Sequence, residues 1–141
     1  MKYFARITKQ GKNDYLVEFP DLEGCLTQGD SLKDARQNAH EALNGWLAAR
    51  CDYNLDIPNP KKRKGKNDYP IDVEFRTALA IILRKNRKAQ NMTQTQAAKK
   101  LGITQQAYAR LEHPYKANPS LSTLEKLSKT LNIDFYFDLA A

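Results

Sequence analysis

The sequence feature that most constrains the fold is a short run, residues 92–112, in which two helical patterns are separated by a glycine. Three apolar residues of the first pattern fall on one helix face: Ala97, Ala98 and Leu101. Gly102 can adopt the positive φ that ends a helix, and Ile103 places an apolar side chain at the corner. The second pattern repeats the spacing and predicts three inward residues: Ala107, Tyr108 and Leu111. Small residues let two helices cross closely, so the run predicts a helix–turn–helix corner.

Polar side chains occupy the opposite face of the second helix, which Thr104 would cap. The expected outward set contains no acid: Gln105, Gln106, Ala109 and Arg110. Glutamine can form two hydrogen bonds with adenine, and arginine can form two with guanine. A short helix that carries these groups is suited to reading bases in a major groove. The alternative interpretation is a helical corner with a polar surface and no ligand.

The pattern TQxxxAxxLGITQQxxxxLE resembles the Cro- and phage-repressor-type (XRE) helix-turn-helix family, whose fold would cover residues 78–133. The resemblance implies that Gln105, Gln106 and Arg110 read bases. It also implies that Gln94 clamps a phosphate and supports the reading helix. With the polar residues of the following loop, the predicted DNA-binding set is Gln94, Thr104, Gln105, Gln106, Ala109, Arg110, Tyr115, Lys116 and Asn118. Two features depart from the family pattern, the bulky Tyr108 and a His113-Pro114 pair where a turn with glycine is usual.

The N-terminal part alternates apolar and polar residues with the two-residue period of β-strands. Strands are predicted at residues 2–9, 15–19 and 25–28. A helix should begin after Ser31 and end near Arg50, and Asp34 in its first turn suits the N-terminal dipole. Residues 54–57 could add a fourth, edge strand. The predicted order is β-β-β-α(-β), a sheet with one helix across a face, and the whole chain is α+β.

Charge is distributed unevenly along this chain of net charge +7. Residues 1–57 carry seven basic and nine acidic side chains, a balance of −2. Residues 58–70 carry five and one, a balance of +4, and residues 71–141 carry eleven and six, a balance of +5. Three prolines and the run KKRKGK predict a basic, flexible linker at 58–70. The flanking parts are predicted to be a binding domain at 1–57 and a DNA-binding and dimerisation domain at 71–141.

A second resemblance lies in the run FPDLEGCLTQGDSLKDARQNAHEAL. Its Pro20-Asp21-Leu22-x-Gly24-Cys25 segment, and the run from Thr27 to Ser31, are similar to the HicB family of antitoxins from type II toxin–antitoxin pairs. The resemblance covers residues 1–60 and implies a partial ribonuclease-H-like fold that binds a small HicA-type RNA-cleaving toxin. It further implies that the C-terminal part binds the operator DNA of its own operon. Acids in exposed turns would suit a basic toxin, and the predicted contacts are Asp21, Glu23 and Asp30.

The sequence contains no pattern typical of a catalytic or metal site. The GxSxG, HExxH and phosphate-loop motifs are absent. The N-terminal acids fall in predicted turns rather than converging, as two-metal chemistry requires. The two histidines and two cysteines have no partners at ligand spacing. We therefore predict a protein that is not an enzyme and that needs no cofactor or metal.

The expected location is the cytoplasm, without membrane contact. No signal peptide follows Met1, and the longest apolar run, residues 78–83, is far too short to span a bilayer. The two cysteines are then expected to be reduced.

Residues 133–139 change from helical spacing to strict alternation, which predicts a strand at the end of an otherwise helical domain. A lone strand needs a partner, and residues 71–73 are the best candidate, within the chain or across a dimer. An intermolecular sheet would produce the homodimer, or a tetramer built from it, that a two-fold operator requires. The predicted dimerisation residues are Ile71, Val73, Phe135, Phe137 and Leu139.

These observations favour an antitoxin that neutralises a HicA-type toxin and represses its own operon by binding double-stranded operator DNA. The alternative is a stand-alone transcriptional repressor whose N-terminal domain senses a small-molecule ligand. A short neighbouring gene that encodes a basic protein would favour the first hypothesis.

Overall fold

A computed structural model describes residues 1–136, which form one four-stranded sheet and five helices. The chain divides into two compact units, Met1–Ala78 and Leu79–Ala141. The first unit contains β1 (Lys2–Gly11), β2 (Asp14–Glu18), β3 (Leu26–Gly29), α1 (Leu32–Asp52) and β4 (Asp68–Asp72). Helix α2 (Phe75–Ala89) begins in the first unit and ends in the second, which also contains α3 (Gln94–Leu101), α4 (Gln105–Leu111) and α5 (Leu121–Leu131). The predicted α+β class and the order β-β-β-α-β are confirmed.

The strands of the first unit form an antiparallel sheet in the order β3-β2-β1-β4. On the face that packs against α1, the buried side chains include Tyr3, Ala5, Ile7, Val17 and Ile71. Alternation along the strands places another set on the opposite face, namely Phe4, Leu16, Leu26 and Pro70. We call this second surface the open face, since Leu16 and Leu26 are 37% and 61% exposed there.

Helix α1 begins where its capping residues predict. The Ser31 hydroxyl accepts a hydrogen bond from the backbone N of Asp34 at 3.0 Å. Just before it, β3 ends at Gly29, where an added Cβ would lie 2.4 Å from the backbone N of Ala35. Only glycine therefore allows the first turn of α1 to lie this close to the sheet.

The fourth strand is Asp68–Asp72 rather than the predicted residues 54–57. Asn54 adopts a left-handed conformation with φ 53°, and the backbone N of Leu55 donates to Arg50 O at 2.9 Å. These residues therefore close the end of α1 instead of extending along the sheet. Ile57 is buried, so its apolar character reflects packing rather than strand pairing.

The segment predicted as a flexible linker, 58–70, lies against the first unit over much of its length. Tyr3 Oη donates to Pro58 O at 2.6 Å, and burial raises the pKa of this hydroxyl to about 12, so it remains a donor. Arg63 Nη2 lies 2.7 Å from Asp21 Oδ1, and the last three residues belong to β4. The predicted boundaries at 57/58 and 70/71 thus differ from the division after Ala78, because sheet pairing and the Asp21–Arg63 pair attach this segment to the first unit.

The outer edge of β4 offers few groups to another strand. Ile7 N donates to Asn67 O and Val73 N donates to Met1 O. Every second residue from Asn67 to Val73 therefore directs its backbone N–H and C=O towards β1, and the others direct theirs towards the outer edge. Pro70 then faces the outer edge, where it has no N–H to donate, and Asp72 O already accepts from Asn44 Nδ2 at 3.3 Å. The predicted pairing of residues 71–73 with a terminal strand is wrong for Ile71, which lies opposite Tyr3 of β1.

The second unit is helical as far as residue 131. Its core contains Leu79, Leu83, Ala97, Ala98, Leu101, Tyr108, Leu111, Leu124, Leu127, Leu131 and Ile133. Helix α5 ends at Asn132, which is left-handed with φ 54°. Residues 133–136 form no strand, and the remainder of the predicted strand, with Phe137 and Leu139, lies outside the described residues.

Candidate nucleic-acid interface

The corner between α3 and α4 has the geometry that its sequence predicts. Thr93 and Gln96 form a capping box at the start of α3. Gly102 ends that helix in the left-handed conformation, with φ 68°. Thr104 Oγ1 then accepts from the backbone N of Ala107 at 3.1 Å and starts α4. Both ends of α3 and the start of α4 therefore lie at residues whose chemistry specifies the boundary.

Helix α4 buries Tyr108 and Leu111 and exposes Gln105, Gln106 and Arg110, as predicted. One pair of alanines differs from the prediction. Ala107, expected inside, is exposed, and Ala109, expected outside, is half-buried. The seven-residue helix therefore presents positions 105, 106, 107 and 110 together, because the 100° step per residue brings 110 round to the side of 106 and 107.

An open groove of about 770 Å³ runs beside this exposed face. Its lining residues are Thr104, Gln106, Ala107, Arg110, Leu111, Lys116 and Asn118. Ala117 is fully buried, and the backbone N of Ala117 donates to His113 O at 2.9 Å, which fixes the loop that follows α4. The structure thus brings the loop residues Lys116 and Asn118 to the same groove as Arg110. Tyr115 is 66% exposed and does not line the groove.

A buried carboxylate, Glu112, holds three elements together behind the exposed face. Arg87 at the end of α2 donates to both of its oxygens, with N–O distances of 2.7 and 3.1 Å. Tyr108 Oη donates to Glu112 Oε1 at 2.8 Å, and Gln94 Nε2 donates to Oε2 at 3.0 Å. We call these four side chains the Glu112 network.

Protonation within the Glu112 network is set by its own contacts. The hydrogen bond to Glu112 is the main cause that raises the pKa of the Arg87 guanidinium, so Arg87 remains charged. Burial raises the pKa of the Tyr108 hydroxyl, and the charge of Glu112 raises it further, so Tyr108 remains a donor. Arg87 and Tyr108 therefore both hold their protons at neutral pH and donate to Glu112, as the Gln94 amide also does.

The network continues to the reading face through one more hydrogen bond. Gln105 Nε2 donates to Gln94 Oε1 at 3.0 Å. The amide of Gln94 is thus held on one side by Glu112 and holds Gln105 on the other. Sequence reasoning placed Gln94 beside the reading helix but missed Glu112 and Arg87. The spacing of Tyr108 and Glu112 at i and i+4 was the only local sign of the network.

The three acids predicted to contact a toxin differ in their surroundings. Glu23 and Asp30 are exposed, as predicted. The Asp21 side chain is only 5% exposed and accepts from Arg63 Nη2 at 2.7 Å and from the backbone N of Lys61 at 3.3 Å. Its expected exposure is therefore wrong, because the segment after α1 covers it. Burial favours a higher pKa for Asp21, but the bonds from Arg63 and Lys61 outweigh burial and lower the pKa.

The predicted dimerisation residues are also distributed differently from the expectation. Ile71 and Val73 are buried in the first unit. Phe135 is half-buried and lines an open groove of about 350 Å³ on α5 with Leu121, Leu124, Glu125, Ser128 and Lys129. Leu121 is 76% exposed in this groove.

Titratable residues elsewhere in residues 1–136 form no cluster of three or more that could hold a metal ion. Cys25 is buried, its Sγ lies 3.7 Å from Ala42 O, and burial raises the pKa of its thiol to about 11. Such a thiol is a poor nucleophile at neutral pH. Within the same described range, no helix combines the length and the apolar character needed to cross a membrane.

Two family models match the chain. The model of a HicB-like antitoxin of bacterial toxin–antitoxin systems matches residues 2–82, and a helix-turn-helix model matches residues 83–137. Antitoxin HicB of Escherichia coli K12 is 26% identical over 136 residues, which are 94% of this chain and 98% of that protein.

Two further similarities cover smaller shares of this chain, 41% and 53%. The UPF0150 protein Ta0767 of Thermoplasma acidophilum is 40% identical over 58 residues, 41% of this chain and 84% of that protein. The crystal structure of the N-terminal domain of antitoxin HicB from Burkholderia pseudomallei has a TM-score of 0.44 and 20% identity. It covers 53% of this chain and 100% of that one.

Proposed function

The chain belongs to the HicB-like antitoxin family, and on that premise we propose that it neutralises a HicA-type RNA-cleaving toxin and represses its own operon. Membership of this family, with a helix-turn-helix domain at residues 83–137, agrees with the prediction that the chain is not an enzyme. Both proposed partners, a toxin and operator DNA, would be met in the cytoplasm.

The observation that carries the DNA-binding half is the exposed set Gln105, Gln106 and Arg110 on a helix held from behind by the Glu112 network. Amides and a guanidinium match the acceptor and donor pattern of adenine and guanine in the major groove. A side chain already held in place loses less conformational entropy on binding. Gln105 is such a side chain, because Gln94 accepts its amide hydrogen bond at 3.0 Å.

Phosphate contacts would come from the rim of the same groove. Thr104, Lys116 and Asn118 line it, and the exposed Tyr115 precedes Lys116 in the chain and could reach a phosphate beyond the groove. Gln94, at the first position of α3, would add a phosphate contact beside the reading helix. Ala107 replaces Ala109 as the small residue that the exposed face offers to a thymine methyl.

The toxin-binding half is assigned to the first unit. An RNA-cleaving toxin must attract phosphates and is therefore expected to be basic. Residues 1–57 carry a net charge of −2, but residues 58–78 of the same unit carry +3, so the match to a basic toxin must come from exposed acids rather than from the net charge of the unit. Glu23 and Asp30 are the exposed acids that we propose as toxin contacts. Asp21 would act indirectly, since its carboxylate holds Arg63 and the backbone of Lys61.

A homodimer is proposed to form through the C-terminal residues, because two reading helices are needed to bind a two-fold operator. The groove that Phe135 lines on α5, with Leu121 exposed in it, supplies an apolar surface for this contact. Phe137 and Leu139 continue the apolar alternation of Phe135 in the sequence. Ile71 and Val73 are not part of this proposal.

The proposal is tested by two measurements on the full-length chain. Co-expression with the small basic protein encoded by an adjacent gene should yield a complex that co-purifies. Footprinting on the DNA upstream of the chain's own gene should protect a two-fold site. Arg110→Ala should weaken that protection by about 1–3 kcal/mol and relax preference at one base pair per half-site. Unchanged affinity and preference in Arg110→Ala would refute the assigned reading face.

A further inference from the structure

Both edges of the sheet have backbone groups that are already occupied or missing, which disfavours the addition of a partner's strand to the first unit. At the β3 edge, Gln28 O accepts from Asn38 Nδ2 at 2.8 Å, and Gly29 packs against Ala35. At the β4 edge, Pro70 lacks an N–H and Asp72 O is occupied by Asn44. Because α1 covers one face, the open face is the broad surface that remains.

The open face is apolar at its centre. Leu16 and Leu26 are 37% and 61% exposed on neighbouring strands, and Phe4 and Pro70 lie opposite each other across β1 and β4. Glu18 of β2 lies in register opposite Leu26 of β3 on one side and opposite Arg6 of β1 on the other. Large apolar side chains exposed together on a sheet are typical of a protein interface rather than of free surface.

Charge on the open face favours a cationic partner. Its two cations are matched by aspartates of β4, with Lys2 Nζ 3.7 Å from Asp72 and Arg6 Nε 3.4 Å from Asp68. Within residues 1–136, Glu18 makes no ion pair or side-chain hydrogen bond. The face therefore holds three acids against two cations, and its one unmatched charge, Glu18, lies opposite Leu26, the more exposed of the two leucines on this face.

The open face is too small to form a stable protein interface by itself, so neighbouring loops must contribute area. Four strands of about five residues span on the order of 300 Å². A stable interface needs roughly 800 Å² from each partner. The additional area must come from the loops beside β3, and these loops carry the exposed acids Glu23 and Asp30. The apolar centre is thus bordered by negative charge on the β3 side.

We infer that the open face, centred on Leu16, Glu18 and Leu26, is the surface on which the cationic toxin docks. This inference rests on the proposed antitoxin function and adds the binding surface to it. A few well-packed residues near the centre of an interface contribute most of its affinity, and acids at its rim speed association with a basic protein.

The test measures binding of full-length variants to the small basic protein encoded by the adjacent gene. Leu26→Lys and Glu18→Lys should each weaken binding about tenfold or more. The Glu18→Lys effect should shrink at high salt, because screening weakens charge contacts, whereas part of the Leu26→Lys effect should persist. Two matched controls lie off the open face: Leu55→Lys, at a leucine 44% exposed, and Glu41→Lys, on an exposed position of α1. Both controls should bind like the wild type.

The outcomes separate the inference from the function on which it rests. If the wild type binds the basic protein and both open-face variants bind equally well, the docking surface is wrong and the antitoxin function stands. If Leu26→Lys alters only self-association in sedimentation, the face joins copies of the chain and the inference is likewise overturned. If the wild type captures no basic protein, the proposed function fails and the docking surface fails with it.

Discussion

Both units of the molecule hold a carboxylate against an arginine, and the Glu112–Arg87 and Asp21–Arg63 pairs differ in how far their side chains are excluded from water. In the second unit, Glu112 is 4% exposed and Arg87 is 13% exposed. In the first unit, Asp21 is 5% exposed, but its partner Arg63 is 27% exposed. Glu112 accepts from three side chains, whereas Asp21 accepts from one side chain and one backbone N–H.

The difference shows what each pair does for the fold. A buried charge with every partner specified tolerates few alternative arrangements, so the Glu112 network fixes α4 relative to the ends of α2 and α3. The Asp21 pair only attaches a surface segment, and Arg63 Nε is buried there with no hydrogen-bond partner among the described residues. We therefore expect a rigid reading surface in the second unit and a segment that can be released in the first.

The largest expected effect comes from removing the Glu112 charge. Glu112→Gln keeps the shape but leaves Arg87 charged and mostly buried without a carboxylate. Breaking a pair of this kind costs about 3 kcal/mol of unfolding free energy. Urea unfolding followed by circular dichroism measures the loss. The matched control is Glu125→Gln on α5, an exposed position where the same substitution should leave stability unchanged. Equal losses in the two variants would contradict the role of the network.

A smaller loss of unfolding free energy is expected from Tyr108→Phe. This substitution removes one of the four hydrogen bonds to Glu112 and keeps the buried ring. A hydrogen bond to a charged group contributes about 1.5–3 kcal/mol, and the low end applies because Arg87 and Gln94 remain. Thermal unfolding should show the decrease. Tyr115→Phe is the control, since that ring is 66% exposed. A Tyr108→Phe protein as stable as the wild type would mean that the hydroxyl contributes nothing to holding α4.

The elements that local patterns specify were predictable from the sequence. Thr93, Gly102 and Thr104 each act on their own backbone, so the corner and its exposed glutamines follow from spacing alone. Strand β4 was not predictable in this way. Its central Pro70 and its place beside a basic run are typical of a linker, and its pairing with β1 joins residues more than sixty positions apart.

Long-range contacts also limited what could be predicted of the site. The partners of Glu112 come from α2, α3 and α4, and only the Tyr108 contact has a helical spacing that the sequence reveals. Asp21 and Arg63 are 42 positions apart, and charge counting placed them in different parts of the molecule. Long-range pairs of this kind depend on the fold that brings them together, which is why Asp21 was expected to be free.

The Asp21 pair is tested by Asp21→Asn. We expect this substitution to lower the free energy that holds the segment against the first unit by about 1 kcal/mol. Residues 61–66 contain five sites for trypsin, and release of the segment should free their backbone to enter the protease active site. Cleavage follows the population of the open form, so a loss of this size should speed it about fivefold. Asp30→Asn is the control, because Asp30 is exposed and its side chain holds no part of the segment. Cleavage at equal rates in both variants would show that Asp21 does not restrain residues 61–66.

The smallest effect is the pH dependence of stability that the Asp21 pair should contribute. Burial by itself raises the pKa of Asp21, but the bonds from Arg63 and Lys61 leave it below the ordinary value of about 4. The folded state therefore binds this proton less readily than the unfolded state. The stabilisation is present above the unfolded pKa and is lost as the pH falls through the folded pKa.

The comparison with Asp21→Asn isolates this contribution, because asparagine resembles the protonated acid and does not titrate. Urea midpoints of the two proteins should differ most near pH 6 and converge as the pH falls below 4. Other carboxylates titrate equally in both proteins, so their effects cancel in the difference. A difference that stays constant from pH 6 to pH 3 would mean that Asp21 stabilises the segment without its charge, and the contrast with Glu112 would then rest on burial alone.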